Sequence, residues 1–451
     1  MIRIFSCGAG GSVSFGPHAI SHHLEKHGHT VKVYDFVDKY TKHQIDYLLR
    51  SFASEDIVCV STVFYVNDKN KNIDYILDSC RVLGIRTLVG GVNPTKTESD
   101  YSIIGSYTEN ETLSLINKLT KKIIYTPFSI SNNDFVWSSS HRMMKRAVLP
   151  VEISRHCVFN CKFCSYPSRG TKGDNRNPEL FRKTLDSANT LYDSSVFILV
   201  CSTFNDSVEK LNVFFESIKN TDYEFAAYIR LDLLVKQRQF WPLIKKHIKY
   251  MTFGIETLNW ESGKAIGKGT NPEIVKKWLM QVREYFDDCF LYSSFIIGLP
   301  GDREQDAIST QIFLSSTKCL NGYSFNSLYL EYPNGGKTSQ SVFSVESAAN
   351  GYTIMKQQDE IASQSYINSS AWVRNDGYSS SEAEKLSKSL NMLEKRKLPS
   401  FSMAALRSVL TMEKLRDTWY TGTFGVDTSF DQLTTEAFKT ISNAYVENSL
   451  S

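Results

Sequence analysis

The sequence contains no apolar run long enough to span a membrane. Its longest candidates, such as Val196–Cys201, suit buried strands rather than a stretch of roughly twenty residues. The block Met1 to Cys7 is too short for a secretory h-region and runs straight into glycines, so neither export nor membrane insertion is expected. An excess of one charge is also missing. Fifty-one basic residues face 48 acidic ones, a formal +3, which argues against a protein that coats nucleic acid. Cysteine is scarce and odd in number, nine in 451 residues, which excludes a secreted disulfide scaffold and fits a reducing, cytoplasmic setting. No repeat or low-complexity tract stands out. The turn Gly8-Ala-Gly-Gly11 lacks the G-x-G-x-x-G spacing, and only Asp35 lies near where a ribose carboxylate would be needed, so a nicotinamide or flavin site is disfavoured.

What is present is alternation. Residues 1–120 read as strands over Ile2–Ser6, Thr30–Phe36, Ile57–Thr62, Thr87–Val89 and Ser102–Gly105, with helices over His18–His27, Ile73–Leu83 and Glu111–Leu119 between them. Strands alternating with helices through short turns predict an α/β, doubly wound parallel sheet. The histidines at 18, 22, 23, 27 and 29 have no acidic companion set for a metal and read as a solvated helix face. Residues 121–147 lack periodicity and read as a linker that wraps the next domain.

From 148 to 340 the alternation resumes, with strands expected at Val148–Ile153, Ser195–Val200, Phe225–Leu231, Tyr250–Ile255, Phe290–Gly298 and Tyr323–Tyr332. Helical stretches such as Pro178–Tyr192, Asn271–Tyr285 and Asp302–Ser315 fall between them, which predicts a partial parallel (β/α)6 barrel. Residues 341–451 read as an α-helical C-terminal region, with helices at Ser380–Leu393 and Met403–Asp417.

Three of the nine cysteines, Cys157, Cys161 and Cys164, fall within eight residues, directly after the first barrel strand. Barrel sheets place chemistry at the carboxyl ends of their strands. Three readings stand. The i, i+4, i+7 spacing would let one helix bury three small apolar residues. A zinc staple needs a fourth ligand that the neighbourhood does not offer, His156 being too close to Cys157. A 4Fe–4S cluster held by three thiolates would leave one iron open to a small molecule. The other six cysteines read as small buried hydrophobes.

The Cys-x-x-x-Cys-x-x-Cys loop, with Phe163 before its last cysteine, resembles that of the radical S-adenosylmethionine superfamily. Leu149 to Arg155, Gly254-Ile-Glu-Thr257 and Gly298-Leu-Pro-Gly301 look like the subgroup with an amino-terminal cobalamin-binding-like domain. Leu24 to Val31, Val58 to Thr62, Val89-Gly-Gly91 and Ile103-Ile-Gly105 with Glu111 match that domain's landmarks, so the similarity spans about 1–335, with a weaker echo at Trp372 and Ser380–Leu386. The resemblance implies a 4Fe–4S cluster on Cys157, Cys161 and Cys164, with adenosylmethionine chelating the open iron. One electron, from a donor such as a flavodoxin or ferredoxin, would cleave the sulfonium to a 5′-deoxyadenosyl radical that abstracts hydrogen from a small-molecule or peptide substrate.

Carried over residue by residue, the resemblance assigns cofactor contacts to five further positions. Phe163 flanks the cluster. Arg230 would reach the methionine carboxylate, unless it pairs with Asp232. Glu256 would accept from ribose hydroxyls, unless it joins a barrel salt link. Gly298 would let the backbone approach adenine, although it and Gly301 also suit a tight turn. Ser202, or its neighbour Thr203, stands where the subgroup has an acid, and offers a neutral hydrogen bond instead. The cobalamin loop Asp-x-His-x-x-Gly, with its cobalt-ligating histidine, is missing. Gly90-Gly91 still permits close approach, Phe64-Tyr65 would crowd the site, and cobalamin is left possible. Tyr332-Pro333 ends the sixth strand, where an ordinary strand-end aromatic is favoured over one that faces the substrate.

Overall fold

The computed structural model describes residues 1–8, 11–62, 71–91, 98–104, 109–122, 127–155, 157–165, 175–331, 341–357, 370–393, 398–415 and 428–450. Phe64, Tyr65, Gly105, His156, Tyr332 and Pro333 therefore lie outside the described residues.

The first unit is a five-stranded parallel sheet of β1 (Ile2–Phe5), β2 (Val31–Tyr34), β3 (Ile57–Ser61), β4 (Arg86–Gly91) and β5 (Tyr101–Ile104), in the order β2-β1-β3-β4-β5. That order follows from right-handed crossovers, with the chain reversing direction across the sheet between β1 and β3. Helices α1 (Phe15–Lys26), α2 (Lys42–Arg50) and α3 (Lys71–Val82) connect the first four strands, and α4 (Glu109–Thr120) follows β5. The α2 helix escaped the sequence reading although Thr41 and Gln44 close a capping box at its start.

The second unit is a six-stranded parallel sheet of β6 (Leu149–Val151), β7 (Val196–Leu199), β8 (Glu224–Ile229), β9 (Ile248–Glu256), β10 (Phe290–Ile297) and β11 (Gly322–Ser327), paired in strict sequence order. Sequential order with helical crossovers is the wall of an open barrel. Helix α5 (Pro178–Tyr192) starts where expected because Asn177 accepts from two amides and Pro178 fills the first turn.

The C-terminal region is largely helical, as expected, with a hairpin added. An antiparallel pair, β12 (Tyr352–Gln357) with β13 (Ser370–Arg374), precedes the helices Ser380–Leu393 and Ser400–Ala405. The helix expected over Met403–Asp417 is interrupted by a 3-10 turn at Leu406–Ser408 and is helical again over 412–415, while 416 and 417 lie outside the described residues. The last helix, Thr428–Leu450, has no counterpart among the expected elements. Its Tyr445 ring stacks on Phe36 of the first unit at 4.9 Å, while its Ala437 joins the cluster that fills the barrel's lumen.

The histidines correct another expectation. His18, His23, His27 and His29 are buried, not solvated. His18 Nε2 meets Asp35 at 3.0 Å, and its ring lies 5.3 Å from Trp137 and 5.2 Å from His141. Phe135 and Trp137, in the stretch without periodicity, pack over α1 and turn that helix face inward. A helical pattern cannot distinguish a face covered by water from one covered by an irregular segment.

Candidate active site

The cysteine loop leaves β6 through a buried ionic knot. Arg155 donates to both carboxylate oxygens of Glu152, at 2.7 and 2.8 Å, and to both of Glu109, at 2.9 and 2.5 Å, under the ring of Phe128. Glu109 opens α4, so the first unit is tied directly to the residue two positions before Cys157. Burial pushes the Glu152 carboxyl up against the pull of Arg155.

Cys157, Cys161 and Cys164 are partly buried, whereas the other six cysteines are fully buried, as expected of small hydrophobes. The loop turns tightly, Cys164 N donating to Cys161 O at 3.0 Å, and is braced from the C-terminal region by Phe343 N donating to Lys162 O at 3.0 Å. It is not one helix, which removes the reading of three buried residues on a helical face. Among the described residues no three Cys, His, Asp or Glu side chains converge closely enough to hold a metal ion. The thiols share one loop, and a cluster would have to draw their side chains together. The donor set fits iron–sulfur ligation: sulfur alone, half-shielded, beside cations that offset thiolate charge.

Those cations come from two strands. Burial raises the Cys161 thiol, while Lys268 and Arg230 oppose the rise. Arg230, at the end of β8, is held by Asp232 through two bonds of 2.9 and 3.0 Å and lies 3.8 Å from the Phe159 ring centre. The expected alternative, the Asp232 pair, is thus what its guanidinium makes, yet it stays within reach of the cysteine loop. Glu256 likewise makes the salt link, to Lys268 Nζ at 3.0 Å, and does so with φ +71°. A left-handed glutamate costs about 1–3 kcal/mol, and such strain concentrates at functional sites. Lys268 also donates to Gly254 O at 2.8 Å and sits 5.6 Å from the Phe163 ring centre. Sequence reading missed Lys268, whose only signal was a lysine between two glycines twelve residues past Glu256.

Ser202 is partly exposed, and its neighbour Thr203 places Oγ1 4.0 Å from Cys157 Sγ. Gly298 differs from the expectation of an open adenine face. A Cβ there would lie 2.5 Å from the Trp372 ring, its φ is +95°, and its amide and carbonyl are taken by Asp302 at 2.9 Å and the Tyr352 hydroxyl at 2.7 Å. Gly298 is required for the β12–β13 pair to close on β10. Gly301, φ +76°, makes the turn that follows.

In the first unit, a Cβ on Gly8 would strike Phe36 at 2.2 Å and one on Gly11 would strike Phe438 at 2.7 Å. Gly8 and Gly11 thus accommodate the protein's own rings. At Gly90 a Cβ would meet only the Ile103 carbonyl, at 3.9 Å, and Gly91 has φ +125°. Among the described residues, no side chain lies within 4 Å of such a Cβ at Gly90.

The chain is thus an α/β protein of two units, a parallel sheet in the order 2-1-3-4-5 joined to a six-stranded partial barrel with three thiols after its first strand. Residues 151–314, which hold most of the barrel, match the Radical SAM superfamily model. The ribosomal protein uS12 methylthiotransferases RimO of Thermotoga petrophila and Thermotoga maritima are each 27% identical over 167 residues, 35% of this chain and 38% of theirs. The chain thus matches well under half the length of these curated relatives. The radical S-adenosylmethionine methyltransferase TsrM from Kitasatospora setae, solved with cobalamin and a 4Fe-4S cluster bound, superposes with TM-score 0.59 at 11% identity, covering 85% of this chain and 81% of that one. The cobalamin-dependent S-adenosylmethionine radical enzyme OxsB, solved with aqua-cobalamin and S-adenosylmethionine, gives 0.57 at 13% identity over 98% and 71%. At such identities the likeness is one of fold, and it extends across both units. Among the described residues no helix is long and apolar enough to cross a membrane.

Proposed function

We propose that this protein uses a 4Fe–4S cluster on Cys157, Cys161 and Cys164 to cleave S-adenosylmethionine and begin a reaction by hydrogen abstraction, with methyl transfer as the outcome where cobalamin is bound. The observation that carries this is the half-buried three-thiol loop at the carboxyl end of β6, with Arg230 and Lys268 acting on Cys161. When bound, the cluster supplies one electron to the sulfonium and an open iron for the methionine amine and carboxylate. The chain's own residues position and shield. Arg230, already forked toward a carboxylate, can exchange Asp232 for the methionine carboxylate. Glu256, released from Lys268, can accept from ribose hydroxyls. The Thr203 hydroxyl lies within reach of the Cys157 sulfur, and Phe163 and Phe159 keep water from the loop.

Gly90 and Gly91 would let cobalamin approach the backbone at the end of β4, where it would supply a methyl carrier, although the histidine of the Asp-x-His-x-x-Gly loop is missing from this sequence. A reducing cytoplasm and a small electron-donor protein, a flavodoxin or ferredoxin, suit this chemistry. Anaerobic reconstitution with iron and sulfide should give a brown protein that forms 5′-deoxyadenosine on reduction. One zinc per chain, no charge-transfer absorbance and no 5′-deoxyadenosine would support a zinc staple instead. Purification with cobalamin supplied, followed by the corrinoid spectrum, separates methyl transfer from a cobalamin-independent rearrangement, cyclisation or oxidation.

A further inference from the structure

Arg176 is 1% exposed, yet every oxygen it bonds among the described residues is neutral. Its Nε donates to Asn133 O at 2.8 Å. Its Nη2 donates to Phe135 O at 2.9 Å, Leu180 O at 3.2 Å and Thr184 Oγ1 at 2.6 Å. Its Nη1 reaches Glu152 O at 3.5 Å. A guanidinium moved from water onto neutral acceptors is unstable unless charge of the other sign lies close by. The adjoining knot provides it. Glu109 and Glu152 bring two negative charges and Arg155 one positive charge, so Arg176 completes a neutral buried set of four. Burial lowers the Arg176 guanidinium to about 10, and Glu152 and Asp134 oppose that fall.

The position of Arg176 in the chain gives this arrangement a purpose. Ser154 and Asn175 form an antiparallel bridge, and Arg176 N donates to Ile153 O at 2.8 Å. Cys157, Cys161 and Cys164 all lie between these two ends. The outgoing end is held by Arg155 on Glu109 and Glu152. The returning end is held by the Arg176 fork, which gathers the covering segment at Asn133 and Phe135 and the first turns of α5 at Leu180 and Thr184. Five N–H groups in one rigid plane can serve oxygens on several sides at once. A lysine ammonium, a point charge with three donors, cannot.

We propose that Arg176 is a positioning residue for the cysteine loop, holding the two ends together so that the three thiols stand on a frame formed before iron arrives. None of its bonds reaches a thiol, and it acts through Ile153, Ser154 and Asn175. The inference rests on the radical reading, since a frame for three thiols serves the reaction only where a cluster sits on them.

Arg176→Lys keeps the charge and loses the fork, and it tests this on the full chain. After anaerobic reconstitution, iron should pass to a ferrous chelator about tenfold faster than from the parent, as expected for one or two lost hydrogen bonds at the base of the loop. Ile116→Val, a core truncation in the first unit, controls for lowered stability and should leave the rate within about twofold. Hydrogen exchange on the same chains without iron reads the frame itself. Exchange should quicken over Leu149–Ser154 and stay as in the parent over Phe290–Ile297. Iron held as tightly as in the parent, unchanged exchange over Leu149–Ser154, or equal quickening of both peptides overturns the proposal. If Arg176→Lys does not fold, Thr184→Val, which removes one acceptor of the fork, carries the same comparison. A parent that takes up no cluster sinks the radical reading, and exchange over Leu149–Ser154 then decides this inference by itself.

Discussion

The two parallel sheets treat their carboxyl ends in opposite ways. In the first, the glycines after β1 are filled by Phe36 and Phe438, the histidines of α1 are covered by Phe135 and Trp137, and the last helix lays Tyr445 over Phe36. In the second, the loop after β6 keeps three thiols half-open, two cations stand beside them, and a glutamate is held in a strained conformation. Among the described residues, the same α/β architecture thus serves once as a packed support and once as the frame of the three-thiol loop. The largest break in that contrast is Cys161→Ala. It should abolish 5′-deoxyadenosine formation and lower iron per chain, while Cys59→Ala, on buried β3, leaves iron unchanged. Equal iron loading in Cys161→Ala and the parent would sink the assignment.

Next in size is the bridge between the sheets. Arg155→Met removes the shared cation and leaves Glu109 and Glu152 facing one another in the interior. Breaking a buried pair on one side costs about 3–5 kcal/mol, so a drop of that order is expected in urea unfolding at neutral pH. The double variant with Glu109→Gln should recover part of it, since the coupling term then falls away. No recovery would mean that the Arg155 side chain acts through packing under Phe128 alone.

Smaller again is the closure of β12–β13 over β10. Gly298→Ala places a methyl group in the path of the Trp372 ring at φ +95°, and should cost about 1–3 kcal/mol. If thermal unfolding shows no loss, Trp372 has room to shift and the mouth is looser there than the structure has it.

The contrast also accounts for which features are legible in the amino-acid sequence and which are not. Both sheets are legible because their strands are short apolar runs set off by turn residues, and Cys157, Cys161 and Cys164 announce themselves by spacing. The hairpin β12–β13 and the last helix are not legible, because their role is to cover other elements, and that depends on distant partners rather than local period. The same holds for Lys268 and the knot of Arg155 with Glu109: each is one charged residue in sequence and becomes part of a site only when a second strand or domain delivers its partner. The histidines mislead for a related reason, since the segment that buries them is irregular.

The last and smallest test uses pH, to which the buried histidines around the first sheet and Asp302 in the barrel respond with opposite sign. In the first unit and its covering segment, burial lowers His22, His29 and His141, and pushes His23 down to about 4. Their unfolded counterparts take up protons near pH 6.5, so their contribution is present above that and is lost as pH falls through the lowered folded values. In the barrel, burial pushes Asp302 up to about 6 although Gly298 N donates to it. The folded barrel then holds a proton that the unfolded chain releases, so this contribution is full below about pH 4 and fades as pH rises through about 6. Taken from the ordinary carboxylate value, the difference is worth at most about 3 kcal/mol. Hydrogen exchange of amides in Ile2–Phe5 and Phe290–Ile297, corrected for intrinsic rate, should show the first sheet losing protection between pH 7 and 5. The second should lose less, or gain. Asp302→Asn keeps an acceptor for Gly298 N and removes the titration, so the barrel's offset should vanish while the first sheet is unchanged. If the offset persists in Asp302→Asn, another buried acid sets the barrel's response, and the opposition between the two units is not localised at this residue.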